Sequence, residues 1–204
     1  MNSVAANMRG LRAKEMRAQL TDIALRLFDD MGYDAVGIDS IAAAAGISPR
    51  TFFRYFESKD EILLQYERSL HTRLLAALAR RPPEEGPVTA LRNAYSETSA
   101  TPPDARAHIR RRGALLADSP SLRTRASGER ASSVDDISAV LAQRRGPGDT
   151  STPTWRLRVI AAALSAVAAE AWARWIDVGG DTDPAESLAA AFALLTSGWE
   201  SRDE

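Results

Sequence analysis

Between Leu20 and Leu195 the apolar residues recur at three- and four-residue spacing, and glycine or proline interrupts them at intervals. That period places one apolar stripe per helix, whereas stretches alternating every second residue, which would build strands, are absent. The chain is therefore expected to be all-α. The breaks give the helices their limits: Gly32, Gly46, Pro82-Pro83, Pro102-Pro103, Pro120, Gly146-Pro147-Gly148, and Gly179-Gly180 ahead of Asp183-Pro184. Between them helices are expected at 12–31, 38–45, 48–56, from Lys59 to the Arg80-Arg81-Pro82-Pro83 break, and at 87–99, 104–117, 121–143, 154–178 and 184–200. The stretch 146–153 is expected to be a surface loop.

Chemistry is easier to exclude than to assign at this level. The 204 residues contain no cysteine, which removes disulfides, thiolate metal sites and cysteine nucleophiles together. The two histidines, His71 and His108, have no metal-ligand spacing, and no glycine-rich phosphate loop or Gly-x-Ser-x-Gly elbow occurs. The carboxylates scatter among helix starts, where capping accounts for them. No catalytic constellation and no cofactor is expected. The longest uncharged apolar run, residues 159–169, falls short of the roughly 20 residues of a membrane span, so a soluble cytoplasmic protein is expected. Formal net charge is −1, so any affinity for nucleic acid has to come from a local arrangement.

One such arrangement lies at residues 41–63, IAAAAGISPRTFFRYFESKDEIL. Ser48-Pro49 opens a helix with an N-cap and a proline at the first position. On that helix Phe52 and Phe56 share a face and are expected in the core, while Arg50 with Arg54, and Thr51 with Tyr55, point away from it beside Phe53. Gly46 joins this helix to the one before it, with Ile47 turned inward. Two short helices joined in this way form a helix-turn-helix, whose second helix enters the major groove. Arg9, Arg12, Lys14 and Arg17 add a basic N-terminal arm that could follow the phosphate backbone or enter a minor groove. The same residues also fit a plainer reading, a short helix whose arginines sit in water. A non-catalytic helical adaptor is the rival function.

Residues 20–63 resemble the N-terminal domain of the TetR family of transcriptional regulators. The likeness runs through Leu27-Phe28, Gly32-Tyr33, Ile41 to Ser48 (Ile-Ala-x-x-Ala-Gly-Ile-Ser), Thr51 to Phe56, and Ser58 to Ile62. This chain departs from the family pattern at Phe53, where a tyrosine usually bonds a phosphate, and at Gly37, where a threonine or serine often caps the second helix. The resemblance implies a three-helix DNA-binding domain at 1–58 and a C-terminal helical bundle at 59–204 holding a ligand pocket and a dimerisation hairpin. It implies a homodimer on a palindromic operator, usually repressing transcription (activation is the alternative) and releasing DNA when a small effector binds. Carried over by position, Arg50 and Arg54 read bases, Thr51, Tyr55 and Lys59 meet phosphates, and Ser48 and Phe53 belong to the same DNA-facing surface.

For the body, the resemblance implies that the last two helices pair between copies. The stripes Ile160, Leu164, Val167, Ala168, Ala171 and Trp175, then Leu188, Phe192, Leu195 and Trp199, are the residues expected in that interface. The alternative is that they face their own core. Candidate pocket residues are Leu74, Leu78, Tyr95, Ile109, Leu115, Leu116, Leu141, Trp155 and Val159. One of Arg110, Arg111 and Arg112 could hold an anionic effector. The alanine-rich penultimate helix with Trp172 and Trp175 is similar to the TetR-like subset associated with mycofactocin and acyl-CoA sensing.

Overall fold

The structure is a computed structural model that describes residues 2–144, 152–179 and 182–197. Among the described residues it contains nine helices: α1 (Asn2–Met31), α2 (Ile38–Ala44), α3 (Pro49–Phe52), α4 (Lys59–Ala79), α5 (Pro87–Ser99), α6 (Pro103–Asp118), α7 (Pro120–Gln143), α8 (Thr154–Val178) and α9 (Pro184–Ser197). No strand occurs among these residues. The chain divides into two compact units. The first comprises residues 1–67 with 115–122, and the second comprises 68–114 with 123–204.

Proline marks the first position of five helices, where its missing N–H costs nothing and its fixed φ suits the helix. Asp183 closes the entry to α9 in two directions: its carboxylate accepts from Ala185 N at 3.0 Å and from Thr101 N at 3.2 Å. Arg106 adds an ion pair to the same carboxylate at 3.5 Å and donates to the Thr101 carbonyl. The start of α6 and the start of α9 are thereby tied together within the second unit.

The core of the first unit is built from Leu20, Ala24, Leu25 and Phe28 of α1, Tyr33 and Val36 of the turn after it, Ile41, Phe52, Phe56, Ile62 and Leu63. Leu122 completes it, and Leu115 and Leu116 pack against it. These two leucines were expected in an effector pocket and instead help enclose the helix-turn-helix. Met31, placed by periodicity at the end of the α1 stripe, is 51% exposed because the helix stops there and Gly32 turns the chain away with a φ of 83°.

α1 also begins ten residues earlier than the apolar stripe alone indicates. Its first turns are rich in alanine, methionine, arginine and leucine, all strong helix formers, so Arg9, Arg12, Lys14 and Arg17 lie on a helix and not on an extended arm. Arg17 is tied down: its guanidinium lies 5.2 Å from the Phe56 ring centroid and 3.9 Å from the Glu61 carboxylate.

The core of the second unit gathers α4, α5, α7, α8 and α9 through Leu74, Leu78, Leu91, Ile137, Leu141, Leu157, Leu164, Leu188 and Phe192. By length and composition alone α8 could cross a bilayer. Its buried residues Leu157, Ala161, Leu164, Ala168, Ala171 and Trp175 nevertheless follow the three-and-four spacing of a helix packed on one side. Gly113 of α6 lets another helix come close, since a Cβ there would collide with the Ile176 side chain of α8.

Candidate nucleic-acid interface

α2 ends in a Schellman turn. Gly46 N donates to the Ala43 carbonyl and Ile47 N to the Ala42 carbonyl, each at 3.0 Å, with Gly46 at a φ of 66°. Only glycine takes that conformation without strain, and it leaves Ile47 packed against the core of the first unit. The chain then enters α3 through Ser48, whose φ of −79° and ψ of 154° are those of an N-cap. Ser48 Oγ accepts from Thr51 N at 3.1 Å and lies 2.9 Å from Thr51 Oγ1.

The α-helical hydrogen bonding proper covers Pro49–Phe52, shorter than the expected 48–56. The helical turn continues, however, through Phe53 N to Pro49 O (3.1 Å), Tyr55 N to Phe52 O (2.8 Å) and Phe56 N to Phe52 O (3.1 Å). This extra turn sets the side chains. Phe52 and Phe56 are fully buried with ring centroids 5.7 Å apart. Each buried ring contributes on the order of 2–3 kcal/mol, which fixes the roll of the helix about its axis. The opposite side is thereby turned to solvent: Arg50, Phe53 and Arg54 are exposed, and Thr51 and Tyr55 are half-buried. Neither the Arg50 nor the Arg54 guanidinium makes a hydrogen bond or ion pair with the described residues.

Lys59 was expected on a phosphate. Its Nζ donates instead to the carbonyls of Tyr33 at 2.8 Å and Val36 at 2.9 Å, and stands 4.3 Å from the Tyr33 ring centroid. Tyr33 in turn donates its hydroxyl to Asp60. The Ser-Lys-Asp segment thus clamps the α1–α2 turn to the start of α4, a connection between residues 26 and 23 positions apart that spacing alone does not reveal. The α2 N-cap is Gly37, with no side-chain cap bond, as its sequence implied.

In the second unit the expected pocket and interface residues sort differently. Leu74, Leu78 and Leu141 are buried in the core, and Ile109 is 9% exposed. Tyr95 packs on Phe192 and lies 2.9 Å from Ser165 through its hydroxyl; burial raises its pKa, so the phenol stays protonated. Trp155 and Val159 are 66% and 56% exposed and line no interior space. Conversely Leu164, Ala168, Ala171, Trp175, Leu188 and Phe192, expected between copies, are buried inside their own unit. Ile160, Val167 and Leu195 are half-buried, and Trp199 lies outside the described residues. Leu157, Leu164, Trp175, Leu188 and Phe192 went to the intramolecular core together with Ala161, Ala168 and Ala171, and a second apolar side of each helix was left outside. The exposed apolar residues are Trp155, Val159, Ala162, Ala163, Ala166, Ala173 and Val178 on α8, beside charged residues such as Arg158 and Glu170, and Ala189, Ala190, Ala193 and Leu194 on α9.

The arginines of α6 are also partly committed. Arg112 is buried, and Arg110 donates to the Gly179 carbonyl with its guanidinium 6.0 Å from the Trp175 ring centroid. Arg111 is exposed.

Two family profiles cover most of this architecture. Residues 20–66 match the profile of bacterial regulatory proteins of the tetR family, and residues 85–200, more than half of the chain, match the MftR C-terminal domain. The chain belongs to the TetR family of transcriptional regulators. Members of this family are regulators and not enzymes, and the helix-turn-helix is their DNA-binding element. TcmR of Streptomyces glaucescens is 40% identical over 89 residues, which are 42% of this chain and 39% of TcmR. MftR of Mycobacterium tuberculosis, named as a regulator of mycofactocin biosynthesis, is 43% identical over 53 residues, 26% of this chain and 27% of MftR. The chain thus matches about two fifths of the length of the first relative and about a quarter of the second.

Among solved structures, NalD of Pseudomonas aeruginosa, the secondary repressor of a multidrug efflux pump, superposes with a TM-score of 0.61 at 17% identity over 92% of this chain and 96% of NalD. FadR of Thermus thermophilus, a TetR-family repressor solved with lauroyl-CoA, gives 0.54 at 24% identity over 92% and 97%. At these identities the structural likeness speaks for the fold: an N-terminal helix-turn-helix followed by a helical C-terminal domain.

Proposed function

We propose that this TetR-family regulator is a homodimeric repressor acting in the cytoplasm, which holds a palindromic operator through α3 and lets go when a small molecule occupies the second unit. The observation that carries the reading is the division of the turn at 49–56. Two buried phenylalanines fix its roll, and two arginine guanidinium groups without partners among the described residues stand on its outer side. A guanidinium held this way can form two parallel bonds to guanine O6 and N7, worth about 1–3 kcal/mol of discrimination against another base. Thr51 and Tyr55 supply hydroxyls for phosphates beside it, Ser48 shapes the entry of the helix, and Lys59 braces the unit from behind.

One such head offers too few contacts for tight binding, so two are needed, about one turn of DNA or a little more apart. The exposed side of α8 and α9 supports the pairing. Trp155, Val159, Ala162 and Ala166 fall on one stripe of α8, while Ala190, Ala193 and Leu194 lie on the outer side of α9. Two such hairpins related by a twofold axis would form a four-helix bundle, with the alanines allowing close approach.

For the effector, Tyr95 and Ser165 form a half-buried polar pair against an apolar core that includes Leu74, Leu78, Leu141 and Phe192. An apolar chain ending in a hydrogen-bonding group suits such a site, and the acyl-CoA carried by FadR is of that type. The test is selection of purified protein on random duplex DNA. A palindromic motif with half-sites one helical turn or a little more apart is expected, and lauroyl-CoA is the first compound to try for releasing it. No enrichment from folded, dimeric, ligand-free protein would refute the proposal.

A further inference from the structure

Phe53 is the one exposed aromatic ring of the first unit among the described residues, at 55% exposure. It sits between Arg50 and Arg54 on the outer side of the α3 turn, on a surface otherwise made of guanidinium and hydroxyl groups. Its ring is held by an edge-on contact with buried Phe52, with centroids 5.8 Å apart and planes at 88°. Backbone geometry fixes its base as well, since Phe53 N donates to Pro49 O at 3.1 Å. The ring is therefore a positioned apolar probe.

A phenyl ring neither donates nor accepts a conventional hydrogen bond. Against guanine, adenine or cytosine edges in the major groove it would strip water from polar atoms without replacing the bond, which is unfavourable. The thymine C5-methyl is the single hydrocarbon group that the four bases present there. We infer that Phe53 reads that methyl, so that each half-site carries a thymine next to the base pairs contacted by Arg50 and Arg54. The inference rests on the DNA-binding reading of α3 and adds a specificity-determining residue to it. Phe53 contributes base selection through shape and apolar contact, while the arginines contribute it through hydrogen bonds.

The test uses the operator recovered by selection and the full-length protein. Each thymine is replaced in turn by deoxyuridine, which removes the methyl and leaves every hydrogen-bonding atom in place. Wild-type protein should lose about fourfold in affinity per half-site at one symmetry-related thymine, the worth of burying a single methyl group. Phe53→Ala should bind the unmodified operator more weakly and show no further loss on the deoxyuridine duplex. Because the side chain is exposed, this variant should melt with the wild type. If every replacement is neutral for the wild type, or if Phe53→Ala remains as sensitive as the wild type, the inference is wrong and the ring meets sugar or solvent. Selective binding that is indifferent to methyls sinks this inference alone, whereas a lack of any selective binding sinks the DNA reading with it.

Discussion

Replacing Lys59 with methionine separates two roles that a lysine in this position could have. In the structure its ammonium makes two charge-assisted hydrogen bonds, at 2.8 and 2.9 Å, to carbonyls of the α1–α2 turn, and lies 4.3 Å from the Tyr33 ring centroid. A hydrogen bond to a charged group is worth about 1.5–3 kcal/mol when part-buried, and a cation over an aromatic face about 0.5–1 kcal/mol. Water can return to the freed carbonyls and methionine keeps the aliphatic packing, so a net loss of about 2–3 kcal/mol is expected. For a chain of this size that lowers Tm by roughly 5–10 °C. The assay pairs thermal unfolding with operator affinity measured across a salt series. A lysine on a phosphate would contribute about 0.9 to the slope of log K against log salt, or about 1.8 for two half-sites. The bracing role predicts a lower Tm and weaker binding with the slope unchanged. An unchanged Tm with a shallower slope would refute the reasoning.

Three further outcomes follow from the geometry. Val159→Glu, placed on the exposed stripe of α8, should leave the fold intact and shift the protein to a monomer in light scattering; a persistent dimer would put the interface elsewhere. Ser48→Ala removes the cap bond to Thr51 N and should cost about 1 kcal/mol in denaturant unfolding, with Ser48→Gly costing less. The third concerns Glu85, whose carboxyl is held below its usual range chiefly by the hydrogen bond from Arg81 at 2.9 Å and further by Asn93, against an opposing effect of burial. A carboxyl whose pKa is lowered by folding contributes stability above its unfolded pKa and loses it as pH falls through the folded value. Wild type and Glu85→Gln should therefore differ in Tm at neutral pH and converge in acid.

The fold was legible because its signals are local. Prolines stand at the first positions of α3, α5, α6, α7 and α9, and Gly46 and Gly179 lie just past helix ends with positive φ, so punctuation located most elements. The roll of α3 was legible for the same reason: Phe52 and Phe56, four apart, leave only one side for Arg50 and Arg54. What periodicity could not supply was the identity of the surface each stripe meets. α8 and α9 are apolar on more than one side, and spacing does not tell a leucine face from an alanine face when both repeat every three to four residues. The stripe holding Leu164, Trp175, Leu188 and Phe192 has more area to bury and became the intramolecular core.

Leu115 and Leu116 were placed in a pocket because their actual partners are about 50 to 100 residues away in the first unit, a pairing that no local pattern encodes. Lys59 was misplaced for the related reason that its acceptors are backbone carbonyls, which carry no residue signature. The α1 extension was missed since helix propensity, and not an apolar stripe, carries its first turns.

The central claim is that sequence-specific DNA binding resides in the outward side of the α3 turn, and it is tested most directly by anisotropy on the selected operator. Wild-type protein and the Arg50→Ala/Arg54→Ala double variant are compared at one salt concentration, after circular dichroism and light scattering have shown both to be folded and alike in oligomeric state. The account predicts tight, saturable binding by the wild type and, for the double variant, only the weak affinity that any duplex receives. Equal affinity of the two proteins for the operator would contradict it.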